Sequence, residues 1–412
     1  MDPTGVAVFA ATYVLISARR LGWLGLDRPA GALVGAVACV VLGVLAPAEA
    51  LGAIDGATLL LLFAVMGMGA FLAVDGFFEQ VEHRLIAAAR TPPRLLGYVV
   101  WGAGGLSAFI TNDAVCVLGA PPLVALIRRH QLPPLPFLLA LATGANTGSV
   151  ATLVGNPQNM LCGLLGELAY RDHLVLMAPL AVLGLAINHG LLRLVFRDAL
   201  AAVRLAGEAA RGDPLPGRTK LTLGVVAGSA VAYTIGGNLA WTAVTSFVVL
   251  MLLHRRDTRE LWPRIDWSLL LFFGSLFVVV AGLERSGAPA AVFARHPLAG
   301  GDGGLHAWLR MAGIFLVGSN VVSNVPFILV VRDQMATLPD PRLGWELLAM
   351  ASTFAGNLTL LGSAANIIVA EAARDVGGVG FWEYLRVGVP LALTTTLLGA
   401  LWVVAFGTAW GW

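Results

Sequence analysis

The chain has 412 residues, of which 58% are hydrophobic and only 12% are charged. Soluble domains carry about 25% charged residues. A mean hydropathy of +0.82 would leave large apolar patches facing water in a soluble fold. A net charge of +2, with the basic residues dispersed along the chain, also excludes nucleic-acid binding as the main function. The composition therefore predicts an all-α polytopic membrane protein.

Several energy-coupling and catalytic motifs are missing from the sequence. The single lysine, Lys220, belongs to no GxxxxGK[ST] run, so the chain cannot form a P-loop for ATP. No HExxH, GxSxG or paired-carboxylate motif occurs, so the chain is not expected to be an enzyme. Cys39, Cys116 and Cys162 lie singly in apolar stretches and are expected to be packed side chains. No cofactor is expected beyond a coupling ion, either a proton or sodium.

Runs of about 15 to 25 apolar residues, separated by charged residues, indicate membrane-spanning helices. The ten predicted spans lie at about 4–18, 30–46, 56–75, 134–165, 172–196, 220–235, 238–254, 267–283, 343–373 and 384–408. Two further apolar stretches, about 94–129 and 306–332, have polar clusters in the middle and arginines near both ends, which predicts two re-entrant helical hairpins. The spans 134–165 and 343–373 contain Gly, Asn and Thr at their centres, which predicts broken helices.

The predicted elements occur in the same order in two parts of the chain. Residues 1–196 and 220–412 each contain three spans, a hairpin, a broken span and a final span, and a charged cytoplasmic linker at 197–219 joins them. Because five spans is an odd number, the second part must begin on the opposite face of the membrane. The sequence therefore predicts two inverted-topology repeats with broken helices at the midplane, an arrangement found in many secondary transporters.

The distribution of basic residues agrees with this topology. With the N-terminus outside, twenty of the 26 basic residues fall on the cytoplasmic side and six fall on the outer side. Such an excess of Lys and Arg in cytoplasmic loops follows the positive-inside rule. We therefore expect a multi-pass protein of the cell inner membrane with both termini outside. The first hairpin would open to the cytoplasm and the second to the outside.

The two broken spans carry matching polar motifs. The fourteen residues Asn146–Asn159 (NTGSVATLVGNPQN) and Thr353–Asn366 (TFAGNLTLLGSAAN) share Thr, Leu, Gly and Asn at the same four places. The hairpin tips match more loosely, with Thr-Asn-Asp in the first and Ser-Asn-Val in the second. The candidate substrate- and ion-binding residues in these segments are Thr111, Asn112, Asp113, Asn146, Thr147, Thr152, Gly155, Asn156, Gln158, Asn159, Ser323, Asn324, Asn357, Thr359, Gly362, Ser363 and Asn366.

These segments have the chemistry of an ion site. Backbone that leaves the helix at membrane depth is tolerated where it lines a cavity or is buried in protein. Gly155 and Gly362 allow unwinding, and Pro157 blocks helix continuation. The freed carbonyls and the side-chain oxygens suit a cation such as sodium, while the N-termini of the half-helices attract an anion. The alternative is that the polar residues only support close helix packing through hydrogen bonds.

Asp113 is the most informative single residue, because a carboxylate at an apolar hairpin tip is costly unless it is partnered. It is expected either to coordinate a cation or to take up a proton during transport. The alternative is that it caps the helix that restarts at the tip. A sodium site is predicted at Asn112, Asp113, Gly155 and Asn159.

The quoted motifs resemble those of the ion transporter superfamily. Thr111-Asn-Asp, Gly155-Asn-Pro-Gln-Asn159, Ser323-Asn-Val-Pro326 and the stretch from Ala355 to Asn366 carry this resemblance, which extends over essentially the whole chain. The superfamily includes arsenite permeases, citrate carriers, divalent anion/sodium symporters and some sodium/proton antiporters. The amino-acid sequences of the first two motifs are most similar to those of the arsenite-permease-like anion permease branch.

The resemblance implies a dimeric scaffold, a transport domain that carries both hairpins and both broken helices, and elevator-type alternating access. Dicarboxylate symporters of the superfamily carry Ser-Asn-Thr at both hairpin tips. The third residue here is Asp113 in one tip and Val325 in the other. This difference argues against sodium/dicarboxylate symport and favours proton coupling.

The sequence thus predicts an ion-coupled secondary transporter of a small anion of the arsenite/oxyanion or carboxylate class. The expected partners are that anion, a coupling cation, the lipid bilayer and a second copy in a homodimer, but no nucleic acid. Two alternatives remain open at this point. One is a sodium/proton antiporter, and the other is an anion channel or receptor without coupled transport.

Overall fold

The structure, a computed structural model, is all-helical. It describes residues 3–17, 26–203, 215–298 and 304–407, and within these ranges there are α-helices and short 3₁₀ turns but no β-strand. The prediction of an all-α fold is confirmed. Within the same ranges, the helices long and apolar enough to cross a membrane are Gly56–Val74, Tyr170–Val195, Trp267–Arg285 and Phe381–Gly407, and Pro3–Ile16, Arg28–Val41 and Leu239–His254 are shorter apolar segments.

The helices follow one another along the whole chain. The first part contains α1 Pro3–Ser17, α2 Arg28–Val41, α3 Pro47–Gly52, α4 Gly56–Val74, α5 Phe77–Ala89, α6 Pro92–Ser107, α7 Asn112–Arg129, α8 Pro134–Gly148, α9 Pro157–Leu165, α10 Tyr170–Val195 and α11 Arg197–Ala201. The second part contains α12 Gly217–Thr234, α13 Leu239–His254, α14 Trp267–Arg285, α15 Ala288–Arg295, α16 Leu305–Val321, α17 Asn324–Met335, α18 Pro341–Ala355, α19 Ala364–Ala372 and α20 Phe381–Gly407.

Helices α4 and α14 begin and end with the same local chemistry. Asp55 accepts a hydrogen bond from the backbone N–H three residues later at 2.6 Å, and Asp266 does the same at 2.9 Å. Such side-chain caps satisfy N–H groups that the first turn of a helix leaves unpaired. After each helix the chain turns through a glycine in the left-handed region, Gly76 at φ +71° and Gly287 at φ +72°. Short helices α5 and α15 follow these turns.

The stretches expected to be hairpins and broken helices each contain two helices. α6 and α7 meet at residues 108–111, and α16 and α17 meet at Val322 and Ser323, where Ser323 has φ +68°. α8 ends at Gly148 and is followed by a 3₁₀ turn at Ser149–Ala151 before α9 begins. Eight residues, 356–363, likewise separate the end of α18 from the start of α19. Their re-entrant and inverted arrangement stays a prediction.

Glycines allow α6 and α8 to pack backbone against backbone. A Cβ on Gly144 would lie 2.9 Å from the carbonyl oxygen of Val100, and a Cβ on Gly148 would overlap the backbone of Gly104. Real Cβ atoms cannot approach so closely, so larger residues here would force the two helices apart. The contact holds the end of α8, where the first broken helix unwinds, against the first hairpin.

The structure also contains helices that the hydrophobic pattern did not predict. These are α3, α5, α11 and α15, which are short or polar and therefore carry no span-like apolar run. The expected linker at 197–219 includes α11 and the first residues of α12, which begins at Gly217 rather than at 220. Its residues 204–214 lie outside the described part of the chain. The predicted count of about ten spans stays a prediction.

We predict that Gly148→Ala lowers the melting temperature of the purified protein. The added methyl group would displace the Gly104 backbone and cost about 1–3 kcal/mol of folding free energy, as is usual for overpacking. Gly105→Ala is the control, because no neighbouring atom lies within 4 Å of a Cβ built there. Thermal unfolding followed by intrinsic fluorescence checks this, and equal melting temperatures for the two variants would contradict the packing account.

Candidate transport site

The amide of Asn146, at the end of α8, is the centre of a buried hydrogen-bond network. Its Oδ1 accepts from Asn112 Nδ2 at 2.8 Å and from Ser363 Oγ at 3.1 Å. Its Nδ2 donates to Asn366 Oδ1 at 2.9 Å and to Asn357 Oδ1 at 3.2 Å. One side chain therefore joins the tip of the first hairpin to the second broken helix, more than 200 residues further along the chain.

The two broken helices exchange equivalent hydrogen bonds. Asn146, the first residue of its motif, bonds to Asn366, the last residue of the other motif. In the reverse direction Thr353, the first residue of the second motif, donates from Oγ1 to Asn159 Oδ1 at 2.8 Å. Asn156 Nδ2 donates to Thr353 Oγ1 at 3.0 Å. Each broken helix is therefore held by the other rather than by its own segment alone.

Asn159 and Asn366 also hold their own loops in the same way. Asn159 Nδ2 donates to the carbonyls seven and ten residues before it, at 3.0 and 3.3 Å. Asn366 Nδ2 donates to the carbonyls seven and ten residues before it, at 3.1 and 2.7 Å. Unwound backbone inside a membrane protein must find such partners, because an unpaired carbonyl costs several kcal/mol there. The asparagines therefore stabilise both helix breaks.

The first hairpin tip is attached directly to the first break. The backbone N–H of Asn112 donates to the carbonyl of Gly155 at 2.9 Å, and Thr152 Oγ1 donates to the carbonyl of Ala108 at 2.6 Å. A Cβ on Gly155 would overlap the backbone of Ser149, so the loop is tightly folded at this point. The glycine therefore provides close backbone approach as well as freedom to unwind.

A small cavity lies between the two hairpin tips and the second broken helix. Its volume is about 70 Å³. Apolar residues of α14 and Leu361 form part of its wall. The polar and glycine residues that line it are Arg28, Asn112, Asp113, Gln158, Ser323, Asn324, Gly362 and Ser363. Elements from both parts of the chain, including the first turn of α2, thus line one small space.

Besides α2, four helices of the hairpins and broken spans begin at the wall of this cavity. The first residues of α7, α9, α17 and α19 are Asn112, Pro157, Asn324 and Ala364, and all four line it. The N-terminus of a helix carries a partial positive charge of roughly half a unit and presents free N–H donors. The guanidinium-bearing residue Arg28 lines the same space. The electrostatics of the cavity therefore favour an anion or a polarised oxygen.

Three oxygen atoms at the hairpin tips, by contrast, need a hydrogen-bond donor or a cation. Oδ1 of Asn112, Oδ1 of Asp113 and Oδ1 of Asn324 are buried and have no hydrogen-bond partner among the described residues. Buried acceptors without a partner are costly, so such atoms usually mark a site for an ion, a proton or water. Donor-rich helix ends and acceptor-rich side chains therefore lie side by side.

Two of the four residues predicted to bind sodium line the cavity, and the other two do not. Asn112 and Asp113 line the cavity, whereas Gly155 and Asn159 do not. The Gly155 carbonyl is occupied by the Asn112 N–H, and Asn159 Oδ1 is occupied by Thr353. Among the described residues, no cluster of three or more His, Cys, Asp or Glu side chains has the arrangement of a metal site.

The other predicted residues have local roles in the same region. Thr111 Oγ1 caps α7 by accepting from a backbone N–H at 3.2 Å, and Asn156 Oδ1 caps α9 at 2.7 Å. Thr147 Oγ1 accepts from Asn357 Nδ2 at 2.9 Å. Thr359 Oγ1 donates to Asn320 Oδ1 at 3.1 Å. These contacts shape the two breaks without lining the cavity.

Sequence reasoning missed Thr353, Asn320 and Arg28. Thr353 occupies the place of Asn146 in the second motif, so the alignment of the two motifs contained a signal for it. Asn320 Nδ2 donates to the carbonyl of Ala355 at 2.8 Å, and its position in an apolar run three residues before the second tip was a weaker signal. Nothing in the sequence links Arg28, at the start of α2, with the hairpin tips.

The family model for citrate transporters (CitMHS) matches residues 13–355. The chain belongs to the citrate transporter family. This agrees with the superfamily resemblance of the motifs, which is confirmed. Members of this family are transporters rather than enzymes, so the chain is a membrane transporter, and the expectation that it is not an enzyme is also confirmed.

Relatives of this transporter family match almost the full chain. The silicon efflux transporter LSI3 of Oryza sativa is 31% identical, with 96% of each chain covered. The Dictyostelium discoideum protein named arsB is 25% identical, covering 93% of this chain and 88% of the relative. The crystal structure of the YdaH transporter from Alcanivorax borkumensis has a TM-score of 0.56 at 17% identity, covering 99% and 97% of the two chains. That likeness shows a shared fold.

We predict that Asn146→Ala both destabilises the protein and abolishes transport. The substitution removes the hydrogen-bond partners of buried groups in both halves. Each group left unpaired lowers the free energy of unfolding by about 1–3 kcal/mol. Asn188→Ala is the matched control, because Asn188 is also fully buried, but its side-chain partner within the described ranges is Thr143, at 2.9 Å, and it does not line the cavity. Melting temperature and substrate uptake measured on both variants check this. Equal uptake by the two would contradict a special role for Asn146.

Proposed function

We propose that the chain is an ion-coupled secondary transporter of small oxyacids or their anions. The observation that supports this most strongly is the convergence of four helix N-termini on one small cavity that also presents side-chain oxygens without a partner among the described residues. The helix ends would bind the oxygens of the substrate, and the Oδ1 atoms would bind a coupling cation. Membership of a transporter family is consistent with both roles.

Cavity size favours a small substrate. A volume of about 70 Å³ has room for about five water molecules, since one water needs about 10–15 Å³ by this measure. Arsenite, phosphate and silicic acid have four or five non-hydrogen atoms, whereas citrate has thirteen. Arg28 is the one basic side chain among the described residues that line the cavity, which is few for a tricarboxylate. The name of the rice relative, a silicon efflux transporter, fits this size class.

Coupling would use the oxygens at the hairpin tips. Asp113 is the acidic residue among the described residues that line the cavity, and its Oδ1 has no partner among them. A carboxylate in this position can bind a proton or help to coordinate sodium. Of the four residues predicted to bind sodium, Gly155 and Asn159 do not line the cavity, so fewer oxygens are available to coordinate a sodium ion there. This favours a proton as the coupling ion.

We further propose that the protein works as an inverted-repeat elevator. The Asn146 network joins the first hairpin to both broken helices, and Asn320 bonds the second hairpin to the second break, so the four elements would move as one body and carry the substrate between the two sides of the membrane. The helices α1, α2, α4, α12, α13 and α14 would form the scaffold of a homodimer in the inner membrane. The chain ends would then lie on the outer side, as the distribution of basic residues suggests.

Transport in proteoliposomes that contain a pH-sensitive dye tests the proposal. Arsenite, silicic acid, phosphate and citrate are each added outside, with and without sodium. We expect uphill accumulation of a small oxyacid with a pH change that does not need sodium. Accumulation of citrate alone would overturn the substrate class. A pH change on sodium alone would identify a sodium/proton antiporter, and uptake that never exceeds equilibrium would identify a channel.

We predict that Asp113→Asn retains substrate binding but loses uphill accumulation. The amide keeps the size of the side chain and removes its charge and its titratable proton. Binding is measured as the stabilisation of the purified variant by added arsenite, and accumulation is measured in proteoliposomes. Asp375→Asn is the control, because the Asp375 side chain is 81% exposed and pairs with Arg128 at 3.0 Å. Normal accumulation by Asp113→Asn would rule out coupling through this residue.

A further inference from the structure

A buried histidine–glutamate pair lies beside the first helix break, outside the cavity described above. His173, in the first turn of α10, and Glu346, in the second turn of α18, have side chains that are 0% and 3% exposed. His173 Nδ1 lies 2.7 Å from Glu346 Oε2. His173 Nε2 lies 3.1 Å from the carbonyl oxygen of Val150, in the 3₁₀ turn of the break. The pair thus connects α10, α18 and the first broken helix.

These contacts require a proton between the two side chains. A backbone carbonyl can only accept, so His173 Nε2 carries a hydrogen and donates it to Val150. If Nδ1 were bare and Glu346 were ionised, two lone pairs would face each other at 2.7 Å. A hydrogen bond of that length therefore needs a second proton, held either as an imidazolium with a carboxylate or as a neutral imidazole with a carboxylic acid. In both cases the pair is neutral overall.

We propose that His173 and Glu346 form a proton-binding site whose occupancy sets the position of the first broken helix. This inference rests on the proposed ion-coupled transport and adds a second place where a proton binds. Loss of the second proton to water leaves the pair with one negative charge and a single imidazole hydrogen, which cannot be donated to both Glu346 and Val150. His173 then no longer has a fixed orientation, so its bond to Val150 is weakened.

A small cavity lies beside the Glu346 side of the pair. Glu346 Oε1 is buried without a partner among the described residues, and Glu346 also lines a cavity of about 30 Å³ together with Asp172, Asp340 and Arg342. Arg342 lies one helical turn before Glu346 and pairs with Asp172 at 2.8 Å. After the proton leaves, the Glu346 carboxylate can turn towards this guanidinium. That movement separates it from His173.

Several ionisable groups lie on the elements around the pair. α8 and the 3₁₀ turn contribute none, and α20 contributes none after Arg386 within the described residues. On α16, Arg310 donates to the backbone carbonyl of Leu298, and on α17, Arg332 donates to the carboxylate of Glu284. The remaining groups on the elements around the pair are Cys162 on α9, Tyr170, Arg171 and Asp172 in the first turn of α10, His189 and Arg193 in its later turns, Asp340 and Arg342 at the start of α18, His306 on α16, Asp333 on α17, and Glu383, Tyr384 and Arg386 at the start of α20.

The break that contacts the pair belongs to the central network. Val150 lies between Ser149, whose Oγ accepts from Asn156 at 2.8 Å, and Thr152, whose carbonyl accepts from Asn159 at 3.0 Å. A shift of Val150 therefore changes the loop that holds the first hairpin tip. Proton binding at His173 and Glu346 would reach the cavity through this loop rather than by direct contact with substrate. The two residues are thus positioning residues for the site.

The test uses Glu346→Gln in the full chain. The glutamine amide can donate to His173 Nδ1 and keep the contact, but it holds no releasable proton. We expect exchange of labelled arsenite at equal concentrations to stay within twofold of wild type, while accumulation driven by a pH gradient falls at least tenfold. Wild-type accumulation by this variant would overturn the proposal. If the variant does not fold, Glu346→Asp should shift the pH profile of accumulation, and an unchanged profile would likewise overturn it.

Glu284→Gln is the matched control. Glu284 is largely buried and bonds to Arg332 at 2.6 Å, but a guanidinium stays protonated, so this pair holds no proton to release. It should accumulate arsenite like the wild type, and a loss equal to that of Glu346→Gln would overturn the proposal.

Infrared difference spectra between acidic and alkaline pH give a readout that needs no transported substrate. The wild type should show a carboxyl or imidazole band that Glu346→Gln lacks. If this band is present but the wild type accumulates nothing, the proton site stands and the proposed transport function fails. If the wild type accumulates arsenite but the spectra of the two proteins are the same, the proton site is overturned and the transport function stands.

Discussion

The structure depends above all on hydrogen-bond partners for unwound backbone and for buried side-chain amides inside a membrane protein. Asn146 meets that need for both halves at once, because its single amide bonds to the first hairpin tip and to four residues around the second break. Thr353 and Asn159 provide the reverse connection. Unpaired polar groups would be costly at this depth, so neither broken helix can keep its shape without the other.

This connection has a consequence for the site. When two breaks and two hairpins are held together, the helices that restart after them all begin at one place, and four N-termini face the same cavity. Donors from the helix ends and acceptors from the hairpin tips then lie within one small volume. In the proposed function such a site would bind an oxyacid and a cation together, and the His173–Glu346 pair would add a proton-binding site beside the first break.

Much of this arrangement was predictable from sequence, and the rest was not, for physical reasons. Hydrophobic runs and matching motifs located the two breaks and both tips, because polar residues in apolar runs are costly without a role. Which residues share a cavity depends on packing between distant elements. The sequence therefore could not reveal that Arg28 lines it, that Asn159 is occupied by Thr353, or that His173 meets Glu346 across 173 positions. The short helices α5 and α15 were missed because they carry no span-like apolar run.

Hydrogen–deuterium exchange on Asn146→Ala, in lipid nanodiscs and compared with wild type, tests the central claim most directly. If the Asn146 amide holds both halves, the first hairpin tip at residues 108–115 and the second break at residues 356–363 should lose protection together. The helices α1 and α13, which lie outside the network, should be unchanged. Faster exchange confined to the first segment would show that the second break is held independently and would contradict the account.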